Sequence, residues 1–334
     1  MNKYILLRIN ILLLLIKKRK IKLLAIFNLI NFYFNFLFKL KSSPMSPLLL
    51  NVELWNECNE ACLFCRSNEG VIHSPNENIK NIPKGKADLN LVLKSIQDFH
   101  KRLLLFIPYI NGEPLISPIL PNVLKYCKSM KVGTLVATNG ISLDINKSIM
   151  LIENDLDFLK VHISGMTNEV HRIQHRTGDI SKILRNIKNF QKLNKKRSTM
   201  VMLDYILYNH NNHQIIEAKN FCKQNDVIFN LRPGNNKFLE ATESTNIPTV
   251  DVSKKPCDWI WGTLAIDWNG AVLPCCDHVL WPGQNEYGNL NKISAYDIWR
   301  GNKIKGFRDS IINRGRGSNM VCKDCKKEGI YFKS

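Results

Sequence analysis

The stretch Cys58-Asn-Glu-Ala-Cys62-Leu-Phe-Cys65 places three thiols within eight residues, a C-x3-C-x2-C triplet. Three thiolates so close cannot all pair among themselves, yet they can wrap three corners of one metal centre. A structural zinc ion takes four protein ligands and would need a remote fourth here. A [4Fe–4S] cube held by three cysteines keeps one iron open, which is useful when another molecule must bind there. A second group lies in the last quarter of the chain, where Cys257, Cys275, Cys322 and Cys325 could enclose a zinc ion or fully coordinate one [4Fe–4S] cluster. Cys276 could replace Cys275, although the spacing favours Cys275. Cys127 and Cys222 fall in helical patterns and read as core thiols. Clustered cysteines in a large chain without a cleavable signal peptide more often bind metal than pair. Reduced thiols and a cytoplasmic location are therefore expected.

These groups need elements to hold them. LLLNVEL (48–54) reads as a buried strand that runs directly into the triplet. Further apolar strands fall at 103–110, 132–137, 157–164, 200–207 and 227–232. Helical patterns separate them at 88–102, 118–130 and 143–153, then in a helix ending near Asn194 and another near 212–224. Asp88 is the expected N-cap of the first helix. Six strands alternating with helices predict an α/β chain, a partial (β/α)6 TIM-like barrel whose chemistry sits at the C-terminal strand ends. The expected organisation is an extension over 1–44, a core over 45–235, a polar linker over 236–256 and a small cysteine-rich domain over 257–334. That last segment holds five of the six tryptophans.

Short motifs fall at the strand ends. Asn111-Gly112-Glu113-Pro114 follows the second strand, Thr138-Asn139-Gly140 closes the third and His162-Ile163-Ser164-Gly165 closes the fourth. His175-Arg176 comes next. Singly, these are turns, a structural histidine and an arginine suited either to a surface ion pair or to bidentate contact with a carboxylate.

The formal charge is +19, and residues 1–52 carry nine Lys/Arg with no Asp or Glu. Apolar runs at 5–16 and 23–38 flank Lys17-Lys18-Arg19-Lys20. Sixteen helical residues span about 24 Å, short of the roughly 30 Å hydrocarbon core. On a helix, Lys17, Lys20, Asn28, Asn31, Asn35 and Lys39 share one polar stripe. That pattern predicts peripheral membrane contact through residues 1–41, with lysines towards anionic headgroups, or else a helix capping the main core. A start at Met45 would omit the segment. The basic excess permits nucleic-acid binding without demanding it, and nucleic acid is not the expected partner.

Taken together, the motifs resemble the radical S-adenosylmethionine (radical SAM) superfamily, whose hallmark is this triplet after the first barrel strand with an aromatic residue before the third cysteine, here Phe64. The resemblance implies that Cys58, Cys62 and Cys65 hold a [4Fe–4S] cluster whose open iron chelates S-adenosylmethionine. One electron then splits the sulfonium C–S bond, and the resulting 5′-deoxyadenosyl radical abstracts a hydrogen atom. By the same resemblance, Gly112 and Glu113 bind the amino group of that cosubstrate, Asn139, His162 and Ser164 stand at its further contact stations, and Arg176 faces its carboxylate. A flavodoxin- or ferredoxin-type electron donor is implied as well. Gly270-x4-Cys275, Gly288-Asn289-Leu290, Ile298-Trp299 and Cys322-x2-Cys325 are similar to a SPASM/twitch auxiliary domain, which makes Cys257, Cys275, Cys322 and Cys325 the implied ligands of a second [4Fe–4S] cluster.

The expected function is oxidation or modification of a carbohydrate-like or other small substrate, because 44 residues ahead of the core are few for a fused peptide-recognition domain. A peptide or sulfatase-type maturase is the alternative within the class. A zinc-stabilised nucleic-acid-binding protein is the alternative outside it.

Overall fold

The structure, a computed structural model, describes residues 3–62, 65, 83–234, 257–276, 286–319, 322 and 325. Phe64 and the expected linker over 236–256 lie outside the described residues. Six parallel strands form the barrel wall: β1 (Leu49–Val52), β2 (Leu105–Ile107), β3 (Gly133–Thr138), β4 (Phe158–Ile163), β5 (Met200–Leu207) and β6 (Ile228–Pro233). They pair in sequence order, with Leu49 opposite Leu105, Leu135 opposite Phe158 and Asp204 opposite Asn230. A seventh strand, β7 (Thr263–Ile266), adds parallel to the free side of β1, and β8 (Ala271–Leu273) and β9 (Gly288–Asn289) follow antiparallel. The cysteine-rich segment thus shares one nine-stranded sheet with the barrel.

Strand alternation sorts the side chains. Leu50, Val52, Phe106, Val136, Leu159, Val161 and Leu203 point outward into the main core beneath the helices. Leu105, Leu135, Phe158 and Met202 point inward and form a separate apolar layer at the bottom of the lumen. Further along the same inward faces come Asn51 on β1, Lys160 and His162 on β4, Asp204 on β5, and Asn230 and Arg232 on β6.

The crossover helices are α3 (Leu89–Phe99), α4 (Leu120–Ser129), α5 (Ile145–Glu153), α6 (Asn168–His175), α7 (Ile180–Leu193) and α8 (Ile215–Gln224). Caps start several of them. The Asp88 carboxylate accepts from Leu91 N at 3.0 Å, as anticipated, and Asp144 and Asp179 do the same for α5 and α7. The short helix α6 was not anticipated, and its N-cap is Thr167.

The extension forms two helices, α1 (Lys3–Lys17) and α2 (Leu23–Leu37), and Lys20, Asn28 and Asn35 of its expected polar stripe turn inward while Lys17 and Lys39 stay exposed. Lys20 is buried and pairs with Asp157 at 2.7 Å and Asp155 at 2.9 Å. Lys18 reaches the same two carboxylates, and Lys22 donates to the carbonyls of His100 and Met130. Asn28 and Asn35 are buried, with Asn28 donating to Ser46 O. These groups turn inward because loop ends at the bottom of a barrel expose carbonyl oxygens that need donors. Ile11 and Leu15 of α1 meanwhile plug the apolar lumen layer, so the capping expectation holds for α1. No helix among the described residues is long and apolar enough to cross a membrane.

Candidate active site

β1 delivers the triplet to the C-terminal end of the barrel, where all three cysteines are thiols rather than disulfides. The Cys65 amide donates to Cys62 O at 3.3 Å, closing the turn. Asn139, at the end of β3, points its amide at Cys58 Sγ (3.6 Å) and at Asn59 Oδ1 (2.8 Å). The Cys65 thiol faces Asn111 O at 3.6 Å. Gly112 is required by packing, since a Cβ there would overlap the Trp55 carbonyl. Its amide and that of Asn111 donate to the buried Glu53 carboxylate. Glu113 is buried and accepts from Thr138 Oγ1 (2.7 Å), Asn139 N (2.9 Å) and Leu115 N (3.0 Å). Burial pushes its carboxyl up to about 7, against the pull of those donors.

Beneath the triplet lies a network that sequence reasoning missed. Glu60, in the middle of the triplet, accepts from His175 Nδ1 at 2.9 Å and lies 3.6 Å from His171 Nε2. The two imidazoles stack at 4.3 Å. Cys62 Sγ sits 3.2 Å from Glu60 and 3.3 Å from His175, and Ser164 Oγ meets His175 Nε2 at 3.0 Å. Gly178 leaves room for this, because a Cβ there would press on His171 and Glu60. Burial would raise the Glu60 carboxyl, but the two facing imidazoles, His175 foremost, hold it near 2. The clue available in the sequence was the His171-x3-His175 spacing, which puts both rings on one helical face.

Ser164 therefore joins the triplet's surroundings through His175. Arg176 ends α6 exposed, with φ of 32°, and its side chain makes no hydrogen bond among the described residues. His162 goes elsewhere: its Nδ1 lies 2.9 Å from Asp204 Oδ2 in the lumen. Asp204 is wholly buried and also receives Arg232 Nε (2.6 Å), Asn230 Nδ2 (2.6 Å) and Lys160 Nζ (3.3 Å). Burial pushes the His162 imidazole down to about 4 despite that carboxylate.

In the C-terminal segment, helices α9 (Trp259–Gly262), α10 (Ala295–Arg300) and α11 (Asn302–Arg314) add Ile260, Ile298 and Phe307 to the main core, against which Cys322 packs. Tyr287 is buried, and its hydroxyl finds no hydrogen bond among the described residues. Burial raises its pKa, and the thiols of Cys275, Cys322 and Cys257 add to the rise. The Cys325 amide donates to Cys322 O at 3.1 Å. Burial pushes Cys257 up to about 12, opposed by Arg316 and reinforced by Asp258 and Cys325. Cys276 instead packs with Ile110, Ala265 and Leu273.

Both thiol groups suit an iron–sulfur centre. Burial disfavours the thiolates, first of all at Cys58 and Cys62, so ionising them needs a strong local cation. Among the described residues the buried Tyr287 hydroxyl has no hydrogen-bond partner, and it lies within the electrostatic reach of Cys257, Cys275 and Cys322.

Comparison with known proteins agrees with this geometry. Residues 52–222 match the radical SAM superfamily, and residues 257–326 match the SPASM iron-sulfur cluster-binding domain. The chain belongs to the radical SAM superfamily of enzymes and carries a C-terminal SPASM domain. Membership replaces the alternative of a zinc-stabilised nucleic-acid-binding protein. Among curated relatives, mycofactocin maturase MftC of Mycobacterium ulcerans (strain Agy99) is 24% identical over 144 residues, 43% of this chain and 36% of that protein. The S-adenosylmethionine-dependent nucleotide dehydratase of Flammeovirga pacifica is 23% identical over 130 residues, 38% of this chain and 42% of that one. The match thus spans well under half the length of these relatives. Among solved structures, Streptococcus suis SuiB bound to S-adenosylmethionine superposes with TM-score 0.63 at 16% identity, covering 86% of this chain and 74% of SuiB. BtrN in complex with AdoMet and 2-DOIA superposes with TM-score 0.52 at 17% identity, covering 85% and 96%.

Proposed function

We propose that this protein uses S-adenosylmethionine to begin radical oxidation or modification of a small polar substrate held in the barrel lumen. When bound, the reduced cluster supplies the electron that splits S-adenosylmethionine into methionine and a 5′-deoxyadenosyl radical. Cys58, Cys62 and Cys65 would hold that cluster, with Asn139 donating to the Cys58 sulfur. Gly112 and Glu113 orient the amino group of the cosubstrate, whose ammonium would form a charge-assisted bond with a carboxylate. Ser164, backed by His175, and the exposed Arg176 complete the cosubstrate's surroundings, and Phe64 is assigned to them through its place in the triplet. Cys257, Cys275, Cys322 and Cys325 would hold one auxiliary [4Fe–4S] cluster. The packing of Cys276 against Ile110 and Leu273 supports Cys275 as the ligand. A flavodoxin- or ferredoxin-type protein would deliver the electron.

The observation carrying the substrate class is the inner wall of β4, β5 and β6. Lys160, His162 and Arg232 converge on the single carboxylate of Asp204, and both cations keep part of their surface open to the lumen. These strands lie farthest from β1 on that side of the sheet. Such a wall of partly exposed Lys160, His162 and Arg232 suits a hydroxylated substrate bearing an acidic group. His162 stands with this wall rather than with Ser164.

The test is anaerobic reconstitution followed by assay of 5′-deoxyadenosine. We expect about eight iron per chain for two full cubes. Acidic, hydroxylated small molecules should raise 5′-deoxyadenosine release, and Lys160→Met should lose that stimulation while keeping the slow substrate-free cleavage. Stimulation by peptides alone would favour the maturase reading, which the match to MftC supports.

A further inference from the structure

We infer that the outward face of α2, joined by the end of α1, docks this protein on an anionic bilayer surface. The inference is independent of the catalytic reading. Thirteen of the twenty large apolar side chains exposed among the described residues lie between Ile9 and Met45. On α2 and its C-cap, Leu23, Phe27, Ile30, Phe34, Leu37 and Phe38 are each more than half exposed. At 3.6 residues per turn these six share an arc of about 100°. No charged residue occurs anywhere in α2, and its polar Asn28 and Asn35 are turned inward on hydrogen bonds. A water-facing strip of aromatic and aliphatic groups is the reverse of an ordinary surface helix.

The rim identifies the occupant. Lys17 and Arg19 are exposed just before α2, Lys39 and Lys41 just after it, and no acid occurs within residues 1–52. Lys41 reaches Asp309 in an exposed pair. A cationic rim around an apolar strip complements a layer of acidic headgroups over acyl chains. A second copy of the chain would instead bring two cationic rims together, which opposes self-association. At 15 residues, α2 is about 22 Å long and lies along such a surface rather than across it. The orientation follows from the contacts. α1 and α2 hold the loops that precede β1 to β5, whereas the cysteine triplet stands at the opposite strand ends. Docking therefore leaves the site facing water, so a soluble substrate and electron donor keep access.

The test uses the full chain sedimented with vesicles. One set is phosphatidylcholine containing about 30% phosphatidylglycerol, and the other is phosphatidylcholine alone. We expect at least about tenfold stronger binding to the anionic set, falling steeply with salt. The triple variant Phe27→Ser, Ile30→Ser, Phe34→Ser should lose about tenfold or more while retaining wild-type helicity and iron content. A second variant, Lys17→Glu with Lys39→Glu, keeps the apolar strip and should lose only the preference for anionic vesicles. Failure to bind either vesicle, equal binding to both, or undiminished binding by the triple variant overturns the inference. So does a dimer in solution that the triple variant converts to monomer.

Discussion

Glu113 is buried on three donors from Leu115, Thr138 and Asn139, and burial still lifts its carboxyl to about 7. Its folded value lies above the unfolded one, so its contribution to stability is full below about pH 4.5 and is lost as the pH rises through 7. The span corresponds to about 3 kcal/mol. Glu113→Gln should therefore flatten the pH dependence of the urea midpoint between about pH 4.5 and 7, with a constant penalty for the amide that meets Asn139 N–H. A variant that tracks the wild-type slope would place the titration elsewhere. The triplet was legible in the sequence because its chemistry depends on covalent spacing, and Glu113 and Asn139 because they follow strands. The partnership of Glu60 with His171 and His175 was not, since it requires α6 to fold back over the strand ends from more than a hundred residues away. The Asp204 centre was hidden for the same reason, drawing on β4, β5 and β6 together.

At the scale of elements, the strands and crossover helices followed from periodicity, with boundaries shifted by a few residues. The helix anticipated to residue 102 ends at Phe99, and the strand over 103–110 contracts to Leu105–Ile107. The extension was the instructive case. Periodicity shows that two faces of a helix differ, but not which one turns inward. Here the barrel bottom offers carbonyls and the buried Asp157, so Lys18, Lys20, Asn28 and Asn35 turn in, while Leu23, Phe27, Ile30, Phe34 and Leu37 are left facing out. Lys20→Met should lower stability by about 2–3 kcal/mol, less than the full cost of orphaning a buried charge because Lys18 remains on Asp157. Adding Lys18→Met should cost more than a surface lysine substitution would. Chemical denaturation of the cluster-loaded protein reads both.

Over the whole molecule, the end of the extension, Leu40 to Pro44, forms a clasp with the C-terminal segment. Trp261 Nε1 donates to Leu40 O, Trp299 Nε1 to Pro44 O, and the buried Arg308 guanidinium to Ser43 Oγ. Together with β7 on β1, these bonds tie the extension, the barrel and the SPASM segment into one body. A chain ending at Gly234 would expose the β1 edge and strip the cover from Trp-binding loops. It should aggregate where the full chain stays monodisperse, as light scattering would reveal.

By itself, the sequence determined the triplet, the strand-and-helix alternation, the second cysteine group and hence the superfamily, because each is written in local spacing. The tertiary structure alone decided which face of the extension meets water, which histidine stands by Cys62 and which by Asp204, and that the C-terminal segment extends the barrel sheet. Those outcomes depend on where distant carbonyls, carboxylates and strand edges come to lie, and no local pattern encodes such positions.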